Sequence, residues 1–304
     1  MLPLPPKGRT HDMNAIPAFS LPDVQRFADT RKLALTRVGV TRVTTPLRVR
    51  SRDGSLQSTA ANVDLFVSLP AHLKGTHMSR FLEVLEESAE PIDCRSLAAL
   101  FGAMLRRLDA GSGEIRLRFP YFMVKRAPVS GVPSHMDYRV HMKVRGERDG
   151  ACQVTLEVRV PVTSLCPCSK EISKYGAHNQ RSEVRIAVVL SEPMAIEELI
   201  QIAESAASCE LYGILKRPDE KFVTERAYDN PKFVEDLVRD VALQLNEDAR
   251  VRSYRVAAEN FESIHNHSAY AQIECKSTPH SLDRARPRHA HRSDVLEPSL
   301  DRDG

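Results

Sequence analysis

The residues best suited to metal binding or catalysis are concentrated in one short segment, residues 161–182. It contains Cys166, Cys168 and His178, together with two lysines and one arginine. A thiolate and an imidazole suit zinc or a neighbouring transition metal. The sequence offers no C-x-x-C or H-x-x-x-H pair that would complete a structural zinc site, and a site with few protein ligands leaves room for water. The segment therefore predicts a catalytic metal site. A catalytic thiol without metal and a chance cluster are the alternatives.

Two carboxylates elsewhere could serve the same chemistry. Glu220 lies in the stretch 216–221, which we expect to connect two helices. Glu235 is expected in the first turn or two of the following helix, where the helix N-terminus favours an ionised carboxylate. Such a carboxylate can accept two N–H donors from a guanine-like edge. From the residues alone, a solvent-exposed charge is the simpler interpretation of both.

Two histidines, His265 and His267, stand just before the last predicted strand. On an extended segment, this spacing places both rings on the same face. An imidazole changes charge near neutral pH and is suited to general acid/base catalysis. The pair is therefore a candidate for proton transfer, although a surface or core histidine explains each residue equally well.

Basic side chains are the candidates for holding phosphate, because the sequence contains no Gly-rich phosphate loop. His77 is predicted to open a helix in the first half, and Arg80 follows it within the first turn, where an anion can be received. Lys170, Lys174 and Arg181 lie in the cysteine-containing segment and are chosen for charge and neighbourhood only.

Composition narrows the function classes. The 304-residue chain has a formal net charge of only +3, no Trp and 6% aromatic residues, so we expect no nucleic-acid partner. No apolar segment is as long as a membrane helix, and the N-terminus has no apolar core of signal-peptide length. We therefore expect a cytoplasmic protein with reduced cysteines. Cys94, Cys152, Cys209 and Cys275 are scattered through apolar segments and are predicted to be small buried hydrophobic residues.

The elements that must position these residues form a pattern that occurs twice. Apolar alternation predicts strands at about 35–48 and 60–69, two helices, and two further strands before residue 150. The same ββααββ order follows in the second half, with one helix predicted to start near Asn230-Pro231. The sequence thus predicts an α+β fold with antiparallel sheets and both helices of each repeat on one face.

This pattern divides the chain into four parts. We expect an N-terminal extension over 1–30, a first repeat over 31–150, a second repeat carrying the site over 151–276, and a disordered tail over 277–304. A sheet covered on one face has two free edges that can pair with another copy. We therefore expect a homo-oligomer with sites between subunits, where pockets commonly form.

Several motifs together resemble the GTP cyclohydrolase type IB family. They are SLCPCSKEISKYGAHNQRS, GTHMSRF, YDNPKFVEDLVRD and ENFESIHNHSAY. The resemblance covers most of residues 20–275 and implies the tunnelling fold, in which ββααββ units assemble into oligomeric barrels. It also implies conversion of GTP and water into 7,8-dihydroneopterin triphosphate and formate, the first step of folate and pterin biosynthesis.

The resemblance also assigns roles to individual residues. It implies that Cys166, His178 and Glu220 bind one divalent metal (zinc, manganese or iron), which activates the attacking water. It implies that Glu235 anchors the guanine edge and that His265 is a general acid/base, with His267 as a less certain neighbour. Within the same fold, nitrile reductases use a catalytic cysteine and NADPH, and this is the alternative function.

Overall fold

The structure is a computed structural model and describes residues 23–88 and 90–277. Most of the predicted extension over 1–30 lies outside these ranges, which include only residues 23–30 of it, and the predicted tail over 277–304 lies outside them except for Ser277. The described part of the extension begins with a 3-10 turn, Val24–Arg26, and Ala28 forms an isolated bridge with Leu73.

The described residues form nine strands and six helices in an α+β arrangement. The strands are β1 (Leu35–Arg50), β2 (Leu56–Leu69), β3 (Ser112–Arg126), β4 (Pro133–Glu147), β5 (Gln153–Leu165), β6 (Asn179–Leu190), β7 (Cys209–Glu210), β8 (Val251–Asn260) and β9 (Ala269–Cys275). The helices are α1 (Met78–Glu86), α2 (Cys94–Arg107), α3 (Pro167–Ile172), α4 (Ile196–Ala206), α5 (Arg217–Asp229) and α6 (Val234–Glu247). The order confirms the predicted ββααββ repeat, with α3, β7 and α5 added in the second half.

Two local predictions in the second half are wrong. The stretch 216–221 is not a connection, because helix α5 begins there, with a proline and two carboxylates in its first turn. Asn230-Pro231 does not start a helix. Asn230 instead ends α5, and its side chain donates a hydrogen bond to the carbonyl oxygen of Ala207 at 2.8 Å. Helix α6 begins at Val234.

All strands are antiparallel and form one sheet in the order β1-β2-β3-β4-β5-β6-β8-β9, with β7 pairing the end of β5. The boundary predicted at residue 150 falls in the turn between β4 and β5. These two strands pair from Arg139 with Arg159 to Arg145 with Gln153, so the sheet runs without interruption from the first repeat into the second.

One face of this sheet carries the core. Alternate strand residues are buried against the apolar faces of the helices, and both repeats contribute to one hydrophobic cluster. In α6 the predicted apolar face is confirmed, with Leu237, Val241 and Leu245 fully buried. Burying one such side chain contributes about 1.5–3 kcal/mol. The predicted fold class, with helices on one face of an antiparallel sheet, is therefore confirmed.

Within the described residues, no helix is both long and apolar enough to cross a membrane.

Candidate functional site

Antiparallel pairing brings two loops of the second repeat together at one end of the sheet. Leu165 pairs with Asn179, and Asn260 pairs with Ala269. The loops 166–178 and 261–268, which we call the cysteine loop and the histidine loop, therefore both leave the sheet at this end. The backbone N–H of Phe261 donates to the carbonyl oxygen of Arg181 at 2.9 Å. We call this the site end of the sheet.

Ser169 holds the cysteine loop in shape. Cys166 is the N-cap of α3, and its Sγ accepts a hydrogen bond from the backbone N–H of Ser169 at 3.4 Å. The Ser169 hydroxyl donates to the carbonyl oxygen of Cys166 and accepts from the backbone N–H of His178. The N–H of Cys166 also donates to the carbonyl oxygen of His178 at 3.1 Å. These bonds bring the thiol-bearing and imidazole-bearing residues to adjacent positions.

The approach to His178 includes Gly176, whose φ of 109° is a conformation that favours glycine. The His178 ring is half-buried, and its Nδ1 lies 3.1 Å from Ser263 Oγ in the histidine loop. Cys166 is also half-buried, whereas Cys168 is exposed. Both proposed donors thus remain accessible to a metal or a substrate.

Glu220 reaches the site end by a separate route. It is exposed in the first turn of α5, next to the fully buried Asp219. The Asp219 carboxylate accepts hydrogen bonds from the backbone N–H groups of Val129, Ser130 and Lys216, each at 2.8 Å, and from the Ser130 hydroxyl. Asp219 therefore joins the start of α5 to the β3–β4 turn, which lies at the same end.

These bonds decide the charge of Asp219. Burial by itself would raise the pKa of this carboxyl. The hydrogen bonds from Ser130, Lys216 and Val129 outweigh burial and hold the pKa well below its ordinary value. Asp219 is therefore ionised at neutral pH, and its negative charge lies at the N-terminus of α5, where the helix dipole stabilises it.

The donor set at this end suits a metal in type but is not gathered into a complete site. Cys166 and His178 supply a thiol and an imidazole from one braced loop, which fits zinc, iron or a similar ion. Among residues 23–88 and 90–277, no three His, Cys, Asp or Glu side chains are close enough to hold a metal. Glu220 therefore lies at the site end without completing a cluster with the other two.

Glu235 also lies at the site end. It is exposed in the first turn of α6, as predicted. The start of this helix is fixed beside the cysteine loop, because the backbone N–H of Lys232 donates to the carbonyl oxygen of Leu165 at 3.1 Å. The Glu235 carboxylate is exposed to solvent. It follows closely after Lys232, whose backbone is bonded to the end of β5.

The predicted phosphate contacts differ in their surroundings. The Lys170 ammonium donates to the carbonyl oxygen of Tyr228 and lies 4.3 Å from the centre of that ring. Lys170 thus binds the last turn of α5, which explains its position without a phosphate. Arg181 and Lys174 are exposed, and their side chains make no hydrogen bond or ion pair with the part of the chain that the structure describes.

Arg80 lies at the other end of the sheet. With His77, the N-cap of α1, it lines a cavity of about 250 Å³ beside Leu69 and Asp109. Strand β5 has 13 residues, so roughly 40 Å of strand separates this end from Cys166. His77 is also paired with Asp23 at 3.2 Å. Within one chain, Arg80 cannot join the other candidates.

The histidine loop carries His265 and His267 as a stacked pair. Their ring centroids are 5.2 Å apart and the ring planes meet at 22°. Both rings are exposed at the site end. The loop is bent rather than extended, but the expectation that the two rings share a face is confirmed.

The other cysteines are consistent with packing roles to different degrees. Cys94 and Cys209 are buried, and burial raises the pKa of each thiol to about 11. These two are therefore protonated, unreactive thiols at neutral pH. Cys152 and Cys275 are only half-buried, although both pack against the core.

Sequence reasoning missed Ser169 and Asp219. A helix-capping rule could have indicated Ser169, because Pro167 marks a first helical turn and Cys166 a cap. The same rule could have indicated Asp219, which lies one residue after Pro218. The contacts of Asp219 with the β3–β4 turn come from the other repeat and have no signal in the local sequence.

Comparisons with known proteins show which family the chain resembles. A protein-family model described as type I GTP cyclohydrolase folE2 matches residues 21–271. The GTP cyclohydrolase FolE2 of Paraburkholderia phymatum is 60% identical over 258 residues, which cover 85% of this chain and 96% of that protein. The GTP cyclohydrolase FolE2 of Nitrosococcus oceani is 56% identical over 263 residues, covering 85% and 97%.

Among solved structures, urate oxidase from Bacillus subtilis 168 covers 79% of this chain and 98% of its own, with a TM-score of 0.47 and 9% identity. A similarity this remote says nothing about the function of the chain.

Two ββααββ repeats in one antiparallel sheet, with helices on one face, are the arrangement of the tunnelling-fold class. The chain belongs to the type I GTP cyclohydrolase folE2 family. Its members are hydrolases that catalyse the first step of folate biosynthesis. The nitrile reductase alternative is not favoured, because the family description and these relatives both name a GTP cyclohydrolase.

Proposed function

We propose that this chain converts GTP and water into 7,8-dihydroneopterin triphosphate and formate at the site end of the sheet. The observation that carries the proposal is the cysteine loop, in which Ser169 holds Cys166 and His178 at adjacent positions. It lies in a chain whose relatives are named GTP cyclohydrolases and match it over nearly their full length.

Cys166 and His178 would hold one divalent metal (zinc, iron or manganese), and Glu220 would be the third protein ligand. When bound, this metal supplies a Lewis acid that lowers the pKa of the attacking water. A thiolate and an imidazole favour zinc or iron, whereas the carboxylate makes manganese acceptable. Glu220 belongs to the first turn of α5, which Asp219 fixes against the β3–β4 turn.

Glu235 would anchor the purine. An ionised carboxylate accepts the two N–H donors of the guanine edge, and hydrogen bonds to a charged group contribute about 1.5–3 kcal/mol each. Because the start of α6 is tied to Leu165, a guanine held by Glu235 is placed beside the cysteine loop. This would orient the imidazole ring of the purine towards the hydrolytic centre.

His265 would transfer protons as the imidazole ring opens and the new ring closes. It is exposed at the site end, where a substrate can reach it. His267 stacks on His265 and would hold its ring in place. Arg181 and Lys174, whose charges have no partner in the described structure, would contact the triphosphate. Lys170 would contact the triphosphate while keeping its hydrogen bond to the carbonyl oxygen of Tyr228.

Arg80 fits this scheme only as a residue of a neighbouring copy. It lies at the far end of its own sheet from Cys166. Two-fold pairing of like edges, β9 with β9 or the free part of β1 with β1, would bring opposite ends of two chains together. The active site would then be completed between subunits.

The test is incubation of the purified protein with GTP, with and without a chelator, followed by addition of zinc, manganese or iron. We expect formate and a fluorescent oxidised pterin in equal amounts, lost on chelation and restored by metal. Protein that remains folded and yields neither product with any of the metals would contradict the proposal.

A further inference from the structure

The contact between the His178 ring and the histidine loop involves one atom pair. His178 Nδ1 lies 3.1 Å from Ser263 Oγ. The other ring nitrogen, Nε2, makes no hydrogen bond with the part of the chain that the structure describes. One nitrogen of this ring is therefore occupied by a neutral side chain, while the other remains available.

This arrangement has a consequence for the proton on the ring. A neutral imidazole carries its proton on one nitrogen and a lone pair on the other. A metal bound through Nε2 requires the lone pair there, so the proton must reside on Nδ1. Ser263 Oγ lies where it can accept that Nδ1–H. A partner of this kind fixes both the tautomer and the orientation of a metal-binding histidine.

We propose that Ser263 is a positioning residue that holds His178 with Nε2 directed to the metal. This inference rests on the proposed function, because it takes His178 as a metal ligand. Ser263 acts through the ring of His178.

The backbone around Ser263 is held against β6, so its hydroxyl is presented from a defined place. The N–H of Phe261 donates to the carbonyl oxygen of Arg181 at 2.9 Å. The Gln180 side-chain amide donates to the Glu262 carboxylate at 3.3 Å. Both contacts precede Ser263 directly in the chain. They limit how far the hydroxyl can move away from the imidazole.

The same loop carries the proposed proton-transfer residues. His265 and His267 follow Ser263 in the chain, so the Ser263–His178 contact joins the loop that would move protons to the loop that would hold the metal. Ser263 therefore sets the position of the two loops relative to each other as well as the tautomer of His178.

The experiment is a cobalt(II) titration of the metal-free protein in competition with a coloured chelator, because cobalt reports on thiolate coordination through its absorption spectrum. The variants are Ser263→Ala, Ser263→Thr and Ser268→Ala. Ser268 is exposed in the same loop and makes no side-chain hydrogen bond with the described residues, so it is the matched control. His178→Ala is the reference for loss of the ligand.

Loss of a partner that orients a metal ligand weakens metal binding by about 10–100-fold. Because Ser263 is exposed and water can partly replace its hydroxyl, we expect Ser263→Ala to weaken cobalt binding by about tenfold. The thiolate band should persist, since Cys166 is unchanged. Ser263→Thr keeps the hydroxyl and should restore binding to within about twofold, and Ser268→Ala should match the wild type.

The outcomes separate this inference from the proposed function. If the wild type binds cobalt, His178→Ala weakens binding, and Ser263→Ala binds as tightly as the wild type, then Ser263 is not a positioning residue while the metal site stands. If His178→Ala leaves cobalt binding unchanged, the ligand assignment itself is wrong and the inference falls with it. Equal weakening in Ser263→Thr and Ser263→Ala would also overturn it, because the hydroxyl would then not be the cause.

Discussion

Ser169 shows how the proposed ligands depend on neighbours that do no chemistry. Its backbone N–H binds the Cys166 thiol, and its hydroxyl joins the main chains of Cys166 and His178. Each bond contributes about 0.5–1.5 kcal/mol, which is enough to select one loop conformation among several. The residue types of Cys166 and His178 determine what can bind, and the Ser169 side chain determines the positions of these two residues relative to each other.

The residue types were predictable and their spatial partners were not. Cys166 and His178 lie in one short segment, so their spacing and chemistry are sufficient to propose them as metal ligands. The charge of Arg80 near a predicted helix start indicates a phosphate contact, but the structure puts Arg80 at the opposite end of the sheet. Charge and local sequence carry no information about which end of a strand a loop will join.

At the residue scale, Glu235→Gln tests the purine anchor. The amide keeps the shape of the side chain but replaces one acceptor oxygen with a donor, so it cannot accept two N–H groups. We expect the dissociation constant for GTP to rise about ten- to a hundredfold, equivalent to about 1.5–3 kcal/mol, with metal content unchanged. Equilibrium titration measures the dissociation constant for GTP, and metal analysis measures the metal content.

The control for this variant is Asp236→Asn. Asp236 follows Glu235 and accepts from the N–H of Phe233 at the start of α6, so its loss affects the cap and not the proposed guanine contact. Loss of metal from Glu235→Gln would show that Glu235 is a ligand. A dissociation constant for GTP equal to that of the wild type would show that the guanine binds elsewhere.

At the element scale, α5 is the part of the site that sequence patterns failed to predict. Its apolar periodicity is weak, and only Asp219 and Ala227 are buried in it. The helix is held by polar contacts instead: Asp219 at its start, and Lys170 and Asn230 near its end. The apolar faces of the long strands and of α6 agree with prediction, because burial of apolar side chains leaves a period in the sequence, although α6 begins at Val234 and not near Asn230-Pro231.

Asp219→Asn tests whether this polar anchoring positions Glu220. The amide loses one acceptor oxygen and the charge, so the β3–β4 turn and the start of α5 should separate. We expect a lower thermal midpoint and lower turnover. Because the pKa of Asp219 is depressed, its stabilisation is fully present above the ordinary carboxyl pKa, about 3.9, and declines progressively as pH falls from there through the depressed pKa of the folded protein.

Thermal unfolding at pH 7 and pH 3 measures how the stabilisation by Asp219 depends on pH. The stability difference between the wild type and Asp219→Asn should be large at pH 7 and smaller at pH 3. Asp229→Asn, at the exposed end of the same helix, should behave as the wild type at both. A difference that does not depend on pH would mean that the charge of Asp219 is not what holds the helix.

At the scale of the whole molecule, the sheet has one covered face and one polar face. On the polar face, Glu157 contacts His141 and Arg185. Burial would raise the pKa of Glu157, but its hydrogen bonds to these partners outweigh burial and lower the pKa to about 2. Such an ionised network needs no apolar cover. In the described residues, β9 pairs on one side only. The outer edge of β1 is free except at residues 48–50, where Ile92 bonds to it, so growth of the assembly is expected at β9 and along the rest of β1.

A mixing experiment tests whether the site is shared between copies. If Arg80 of one copy serves the cysteine loop of another, Arg80→Ala and Cys166→Ala should each have low activity alone. Subunits of the two variants that are dissociated, mixed and reassembled should regain about a quarter of the wild-type activity per site, since some sites then contain both native residues. Mixed oligomers with no gain in activity would show that Arg80 acts within its own chain or not at all.

The most direct test of the central claim is formate release from GTP by Cys166→Ala, measured beside the wild type and Cys152→Ala with metal supplied to all three. Cys152 lies directly before β5, at the far end from the site, and its loss should leave turnover within about twofold. We expect Cys166→Ala to lose turnover by more than about a hundredfold, since loss of a ligand exceeds the cost of losing its supporting partner, and to retain its fold. Formate release by Cys166→Ala at the wild-type rate would place the reaction outside the cysteine loop.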